Sequence, residues 1–378
     1  NQLTSLESLE NLTNLNLIHV HRNAIHSLQP ILPLINKGLS VSWEWREQSQ
    51  IVLEENPLEI PPIEIVQEGS AAILEYFRSR EEEGVRRLYE ANLFILGEGG
   101  AGKTSLYRKL IDPAAPLPEE ADTTRGSDIH VLHFPLKNGG QFRMNVWDFG
   151  GQEVYHATHQ FFLNKRSLYL LVDDTSKNDK SANDPTFRNW LQMVSLLGGG
   201  SPLLIVQNEK GDRSKSLDLR SMKGRFDFVQ GSLAVNLLTG RGLDKLRAEI
   251  EHLIQNLPHV GTPLPRQWVV IREEVEKRTA KQAYMSEEDW LSLCAANRVD
   301  EQQALQLSQY LHDLGVFLHF QDNEALRQTI ILQKEWATNA CYRVLDDEQV
   351  KRRGRFGEEN LQRIWQEEQW RRRIPQLL

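Results

Sequence analysis

The stretch LFILGEGGAGKTSL, residues 93–106, decides how the central part of the chain folds. An apolar run, LFIL, leads into a glycine-rich loop, and the loop leads into the helical pattern SLYRKLI. Residues 97–104 match G-x-x-x-x-G-K-[ST], which in a strand–loop–helix context is typical of a phosphate-binding loop, or P-loop. Glycines allow backbone N–H groups to turn inward around a phosphate, and the helix N-terminus adds positive potential. The stretch therefore predicts a site for the phosphates of a nucleotide.

Each position of this loop receives a predicted role. Lys103 is expected to reach the β- and γ-phosphates and to take part in catalysis, and the Thr104 hydroxyl is expected to bind Mg²⁺. The complete set of predicted phosphate contacts is Gly97, Gly99, Gly100, Ala101, Gly102, Lys103, Thr104 and Ser105.

Strands and helices alternate around this loop, from Ala91 to about Leu257. Apolar runs at 167–174, 202–208 and 232–238 predict buried strands, and helical patterns at 186–197 and 242–256 accompany them. The KNGG turn between IHVLHFPL and FRMNVWDF predicts a hairpin. Mostly parallel strands with intervening helices predict an α/β domain whose ligand lies at the carboxyl ends of the strands.

A second motif, WDFGGQE at 147–153, carries further candidates. Asp148 is expected to hold Mg²⁺ through water, Gly151 to contact the γ-phosphate, and Gln152 to orient the attacking water. Between the two motifs, Thr124 is predicted to bind Mg²⁺ in the triphosphate state and to assist catalysis; the alternative is a plain loop threonine.

These elements in this order resemble the Ras-like small GTPases, which read guanine with an N-K-x-D motif. Here the strand runs into QNEKGD, with Asn208, Lys210 and Asp212 as the candidates, and the Lys and Asp are each displaced by one position. Either the loop bulges by one residue and restores the contacts, or guanine is read less tightly; we favour the bulge. Leu237, in place of part of the family's S-A-K element, is expected to offer its backbone N–H to the base.

The flanking segments predict two further modules. LNLIHVHRNAI (15–25) and IVLEENPL (51–58) share the spacing of a leucine-rich repeat, although an amphipathic helix with a leucine stripe is the alternative. We assign 1–62 to the end of such a solenoid and 63–90 to a cap and linker helix.

Residues 261–378 read as helix, helix and a two-stranded wing. The second of these helices carries no Lys or Arg between Glu301 and Gly315, which favours protein packing over nucleic-acid binding.

This succession resembles the Roco family, in which a Ras-of-complex (Roc) domain is followed by a COR domain. On this resemblance 91–260 is the Roc domain and 261–378 the N-terminal half of COR, in a prokaryotic-type member. The resemblance implies a cytoplasmic signalling protein that binds GTP or GDP with Mg²⁺, hydrolyses GTP and acts as a conformational switch. It also implies a homodimer for the full-length protein and protein partners bound through the repeats.

Two alternatives remain open for the function: a non-hydrolysing scaffold that uses nucleotide structurally, and an adenine-specific P-loop enzyme. Hydrolysis is expected to be slow because no arginine finger is evident. Arg125 and Arg166 are interpreted as solvated side chains. His156 and His159 are interpreted as switch-helix residues rather than metal ligands.

The composition limits the remaining classes. The chain has 378 residues, which predicts two or three domains, and a net charge of −8, which argues against a general nucleic-acid binder. No apolar run reaches the ~18 residues of a membrane span, so no membrane insertion is expected. Cys294 and Cys341 are interpreted as core thiols of a reduced protein. Because the chain starts at Asn1 and stops within the COR pattern, we expect it to be a fragment of a longer protein.

Overall fold

The structure is a computed structural model, and it describes residues 3–10, 12, 14–45, 50–118, 127–136, 139–149, 163–176, 185–210 and 217–366. None of the helices within these ranges combines the length and the apolar character needed to cross a lipid bilayer.

The N-terminal module is built on three short parallel strands in the order β1-β3-β2, with helix α1 between β1 and β2; these are β1 (Ile18–His19), α1 (Leu32–Asn36), β2 (Val41–Ser42) and β3 (Ile51–Val52). Two asparagines repeat the same contacts one turn apart. Asn23 Nδ2 donates to Val20 O at 2.9 Å, and Asn56 Nδ2 donates to Leu53 O at 2.8 Å. Each also accepts an N–H from the adjacent turn: Asn23 from Leu3 at the surface, and Asn56 from the buried Ile25, whose backbone group is thereby satisfied.

A cap follows, consisting of α2 (Ile63–Gln67), α3 (Ser70–Glu83) and the short strand β4 (Val85–Arg87). Helix α3 begins after Gly69 and ends at Gly84, both with positive φ, and it buries Ile73 and Phe77.

The central module is a six-stranded sheet with the strand order β10-β9-β8-β5-β7-β6. Strand β6 is antiparallel to β7, as the hairpin prediction required, and the other pairs are parallel. The strands are β5 (Glu90–Leu96), β6 (Ser127–Pro135), β7 (Gln141–Phe149), β8 (Ser167–Asp174), β9 (Leu203–Asn208) and β10 (Val229–Val235). The accompanying helices are α4 (Lys103–Ile111), α5 (Pro185–Leu197), α6 (Leu219–Arg225) and α7 (Leu243–Gln255). The predicted α/β class is confirmed.

The C-terminal module is mostly helical and carries a small antiparallel sheet. Its elements are β11 (Pro263–Pro265), α8 (Arg266–Thr279), β12 (Tyr284–Ser286), α9 (Glu287–Ala296), α10 (Glu301–Asp313), β13 (Leu318–His319), β14 (Thr329–Ile331), α11 (Lys334–Asp346), α12 (Glu348–Arg353) and α13 (Glu358–Ile364). The wing has three strands, in the order β12-β14-β13, rather than the predicted two. The additional strand is three residues long and ends at Ser286, which forms a capping box with Asp289, so the sequence shows only the helix start.

Among the described residues, three apolar cores hold these modules together. One core is shared by the N-terminal module, the cap and the first part of the C-terminal module, and it includes Ile73, Trp268 and Leu311. A second lies between one face of the central sheet and helices that include α5 and α11. The third lies between the other face of the sheet and helices α4 and α7. The C-terminal module is therefore divided between the first two cores.

Candidate functional site

The glycine-rich loop joins the end of β5 to the start of α4, at the carboxyl edge of the central sheet. Gly97 and Gly102 adopt φ values of 137° and 99°. A Cβ on Gly97 would lie 2.5 Å from the Val172 carbonyl oxygen, and one on Gly102 would lie 2.5 Å from the Asn208 amide nitrogen. Only glycine suits these two positions, and the loop therefore presents backbone rather than side chains to a ligand.

Lys103 is the first residue of α4, and its side chain folds back over the loop. Its ammonium donates to the Gly97 and Glu98 carbonyl oxygens, each at 2.9 Å. The residue is 6% exposed, so this positive charge is concentrated at the helix N-terminus, where an anion would be stabilised.

Thr104 and Asp148 meet directly beside this lysine. The Thr104 hydroxyl donates to Asp148 Oδ2 at 2.6 Å. The other carboxylate oxygen, Oδ1, is buried and has no hydrogen-bond partner among the described residues. Burial raises the pKa of Asp148 to about 6, against the opposing effects of the Thr104 hydrogen bond and the Lys103 charge. A hydroxyl and a buried carboxylate with one unsatisfied oxygen suit a hard cation such as Mg²⁺, which usually takes one or two protein ligands beside phosphate and water.

The predicted base-side loop begins where β9 ends, and two of its residues hold the P-loop. Asn208 Nδ2 donates to the Ala101 carbonyl oxygen at 2.9 Å. Lys210 Nζ donates to the Gly100 carbonyl oxygen at 2.7 Å and to Asp174 Oδ2 at 2.9 Å. The displaced lysine therefore reaches the P-loop in spite of the additional residue before it.

That additional residue is Glu209, and it is directed away from the P-loop. Its backbone N–H donates to the Val235 carbonyl oxygen at 2.7 Å, and its carboxylate accepts a hydrogen bond from Arg241. Arg241 belongs to the loop between β10 and α7, which also holds the buried Leu237. The ion pair therefore joins the two loops that were predicted to face the base.

The other predicted residues divide into two groups. Gly99 lies in the turn of the P-loop, and Ser105 lies in the first turn of α4. Thr124, Gly151, Gln152, Asp212, Arg125, His156 and His159 fall outside the described residues. The structure thus brings together Lys103, Thr104, Asp148, Asn208 and Lys210 around one loop.

Arg166 was expected to be solvated, and that expectation is wrong. Its side chain is 11% exposed and forms an ion pair with Glu64 of the cap at 2.7 Å. Asp174 was not predicted as a site residue at all, although its position at the end of the run SLYLLVDD, on the ligand edge of the sheet, was a usable signal.

Comparison with known proteins identifies two domains in the chain. Residues 92–211 match the family model "Ras of Complex, Roc, domain of DAPkinase", and residues 265–378 match "C-terminal of Roc, COR-A domain".

Several curated proteins are similar over most of the chain. A Roc-COR-CHAT protease from an unknown prokaryotic organism is 27% identical over 87% of this chain and 34% of its own length. One from Runella zeae is 29% identical over 77% of this chain and 33% of its own. The probable serine/threonine-protein kinase pats1 of Dictyostelium discoideum is 25% identical over 85% of this chain and 11% of its own. The chain thus spans about a tenth to a third of these relatives.

A solved structure is also similar. Methanosarcina barkeri Roco2 RocCORdC bound to GDP aligns with a TM-score of 0.68 and 28% identity, covering 78% of this chain and 91% of that one.

Proposed function

Since the chain belongs to the Roco family, with a Roc domain followed by a COR-A domain, we propose that it binds GTP and GDP, hydrolyses GTP slowly and changes conformation with the nucleotide. The observation that carries this proposal is the convergence of Lys103, the Thr104–Asp148 pair, Asn208 and Lys210 on one glycine-rich loop. The GDP named with the Roco2 structure is consistent with this choice of ligand.

The phosphates are proposed to lie in the P-loop. The N–H groups of the loop and of the first turn of α4 surround them, and Lys103 neutralises the β- and γ-phosphates. The ammonium now bonded to the Gly97 and Glu98 carbonyl oxygens already lies at the loop, so nucleotide binding needs little movement of the lysine.

Mg²⁺ is proposed to be held by Thr104 directly and by Asp148, whose unpartnered oxygen accounts for the fit. When bound, the ion neutralises charge that develops on the phosphates. The Asp148 carboxylate has to be ionised for this role, and the positive charge of Lys103 favours the ionised form. Thr124 is proposed as a second hydroxyl ligand in the triphosphate state.

Guanine is proposed to be read by the loop after β9, in its bulged form. Asn208 and Lys210 already hold Ala101 and Gly100, and Glu209 is turned toward Arg241. With Glu209 turned out of the loop, Asp212 is proposed to accept two hydrogen bonds from guanine. The Leu237 N–H is proposed to donate a hydrogen bond to the same base.

Hydrolysis is proposed to use Gln152 to orient water, with Gly151 contacting the γ-phosphate. In the absence of a supplied arginine, which is worth about 10³–10⁵ in rate, turnover is expected to be slow. The relaxation that follows phosphate loss is proposed to act on COR and on the N-terminal module, which we propose to be the end of a leucine-rich-repeat domain that binds protein partners. A homodimer of the full-length protein and a cytoplasmic location are part of the same proposal.

Nucleotide binding is tested with a fluorescent guanine nucleotide in the presence of Mg²⁺. Lys103→Ala should weaken binding by about 30-fold or more, because truncating one member of a buried charge contact costs about 2–5 kcal/mol. Lys245→Ala, on the outward face of α7, is the control and should bind like the wild type. Unlabelled GTP should displace the probe and ATP should not. Displacement by ATP as good as that by GTP would contradict the proposed reading of guanine by the QNEKGD loop, and stronger displacement by ATP would favour an adenine-specific enzyme.

Hydrolysis is tested by single turnover of GTP with the wild type and with Gln152→Leu. We expect slow turnover by the wild type and a further loss in the variant. Equal and negligible rates in both proteins would favour the non-hydrolysing scaffold.

A further inference from the structure

Arg166 lies where the cap, the Roc domain and the COR domain meet, and its guanidinium contacts the other two. It is a Roc residue, and it donates to both carboxylate oxygens of Glu64 in cap helix α2, each at 2.7 Å. The same group lies 3.6 Å from Asp313 and 4.4 Å from the ring centre of Tyr310, both in COR helix α10. One side chain thus connects the cap, Roc and COR.

The charges around Arg166 can be rearranged. Glu64 and Asp313 share one guanidinium, and Lys165 lies 3.8 Å from Asp313. Burial would raise the pKa of Glu64, but the charge and hydrogen bonds of Arg166 lower it. Burial and the Glu64 charge raise the pKa of Asp313. Arg166 therefore favours Glu64 in this arrangement, and Asp313 is the second carboxylate it would pair with after a small displacement.

The surroundings leave room for such a displacement. A cleft of about 430 Å³ lies on one side of Arg166, between the end of the N-terminal module at Leu58 and the Roc turn at Gly200. A second cleft of about 360 Å³ adjoins Glu64 and Asp313. Both clefts are open to solvent, so the charged groups that line them have free space on one side.

Arg166 is also joined to the strand that enters the P-loop. It directly precedes β8, whose first residue, Ser167, is the register partner of Asn92 on β5. Asn92 Nδ2 donates to the Leu314 carbonyl oxygen at 2.8 Å, one residue beyond Asp313. The same end of α10 is therefore held both by β5 and by Arg166. Arg166 has a φ of 60°, a conformation that non-glycine residues rarely adopt unless their surroundings impose it.

We propose that Arg166 is a positioning residue that transmits the nucleotide state of Roc to the cap and to COR, by shifting its guanidinium between Glu64 and Asp313. The inference rests on the proposed function, because it requires that Roc binds GTP and GDP. Two discrete pairings of one buried charge are the kind of bistable element through which a small shift at a ligand site moves neighbouring modules.

The test is hydrogen exchange of the intact chain with GDP and with a non-hydrolysable GTP analogue. In the wild type, exchange in α2 and in α10 should differ between the two nucleotides by about threefold or more. In the double variant Arg166→Met, Glu64→Leu this difference should fall at least twofold, while affinity for both nucleotides stays within about threefold of wild type. Both members of the ion pair are replaced so that neither is left buried without a partner.

The matched control is Arg86→Ala, Glu273→Ala, which removes an exposed ion pair between the cap and COR and should keep the wild-type difference. Should the double variant fail to fold, Arg166→Lys decides instead, since lysine keeps the charge but lacks the bidentate geometry. A reduced difference in that variant supports the proposal, and an unchanged difference overturns it.

The remaining outcomes separate this inference from the proposed function. A wild type that binds and hydrolyses GTP with no nucleotide-dependent exchange in α2 and α10 would overturn the coupling role alone. A double variant with the full wild-type difference would do the same. A wild type that does not bind guanine nucleotides would overturn both proposals.

Discussion

The cap and the Roc domain both contact the first part of COR, but by different physical means. The cap does so through a shared apolar core, in which the Trp268 ring lies 5.9 Å from Tyr76 of α3 and 5.7 Å from Tyr310 of α10. Roc meets the first part of COR through buried charges, with Arg166 beside Asp313 and Glu90 paired with Arg272, and it shares an apolar core with the wing strands and with α11. Apolar contacts are strong and non-directional, whereas charge contacts depend on geometry. The comparison indicates that the contact of Roc with the first part of COR is more sensitive to a small displacement than the contact made by the cap.

The Glu90 cluster shows how such a contact is kept stable. Glu90 begins β5 and is 2% exposed, and it accepts a hydrogen bond from Arg272 of α8 at 2.8 Å and one from Asn145 at 3.0 Å. Burial alone would raise the pKa of Glu90, but the Arg272 charge and hydrogen bond lower it. The carboxylate is therefore ionised and nearly fully satisfied.

Removing the apolar contact should have the largest effect on stability. Trp268→Ala deletes an aromatic ring at the centre of the shared core and should lower the free energy of unfolding by about 3–5 kcal/mol. Urea denaturation measures this, with the exposed Trp45→Ala as the control. Similar losses in the two variants would contradict a stabilising apolar joint between cap and COR.

Breaking one side of the Glu90 cluster should cost somewhat less. Glu90→Gln leaves the buried Arg272 with only the half-exposed Glu276 as counter-charge, and the expected loss is about 3 kcal/mol. The double variant Glu90→Leu, Arg272→Met removes both charges and should recover most of that loss in the same denaturation assay. If the double variant were less stable than Glu90→Gln, the attraction between the two charges would itself stabilise the contact. The cost of leaving one charge buried without its partner would then not be the main effect.

Lys334 gives the junction between Roc and COR a dependence on pH. Its ammonium donates to the Gly315 carbonyl oxygen and lies 4.9 Å from the Trp147 ring, and burial lowers its pKa from 10.5 to about 8. Between these two values the unfolded chain binds more protons at this site, so stability rises with pH; below about 8 both states are protonated and the dependence ends. The unfolding free energy of the wild type, relative to that of Lys334→Met, should therefore rise by about 2–3 kcal/mol from pH 8 to 10.5. A pH-independent difference would contradict the buried position of this lysine.

The exposed ion pair between Arg86 and Glu273 should matter least. Both side chains are more than 40% exposed, and such pairs contribute at most about 1 kcal/mol. Double replacement by alanine should leave the denaturation midpoint nearly unchanged, and added salt should remove any difference that remains. A loss of unfolding free energy as large as that of Glu90→Gln would mean that burial does not determine how much an ion pair contributes to stability in this protein.

Much of the central fold followed from local sequence patterns. The run LFIL, the glycines of the P-loop and the turn KNGG each specify their structure within a few residues, so the order strand, loop, helix and the β6–β7 hairpin were predictable. The site residues that were brought together, such as Asn208 and Lys103, follow strands of one sheet, and the carboxyl ends of parallel strands meet at one edge.

The contacts between modules were not predictable in this way. Arg166 and its partner Glu64 are 102 positions apart, and neither local pattern indicates that the two charges pair. Charged residues are rarely buried unless paired, so sequence reasoning assigns them to the surface until the pairing is seen. The basic cluster at 351–355 predicts a solvated or partner-binding helix face, but the sequence does not show that the helices after Lys334 also pack against Roc through residues such as Val350 and Leu361.

The short pairing of β4 with β11 has a consequence for how the molecule is put together. These strands lie immediately before and after the Roc domain, and they pair antiparallel over Val85–Arg87 and Pro263–Pro265. The chain therefore enters Roc and leaves it at the same place, where the cap is paired with the start of COR. Roc is in effect an insertion between these two paired segments. Excising residues 88–262 and bridging the gap with a short linker should leave the cap and the first part of COR joined, but it should expose the apolar face of α11 that packs against Roc. Any movement of Roc relative to the cap is constrained at this strand pair.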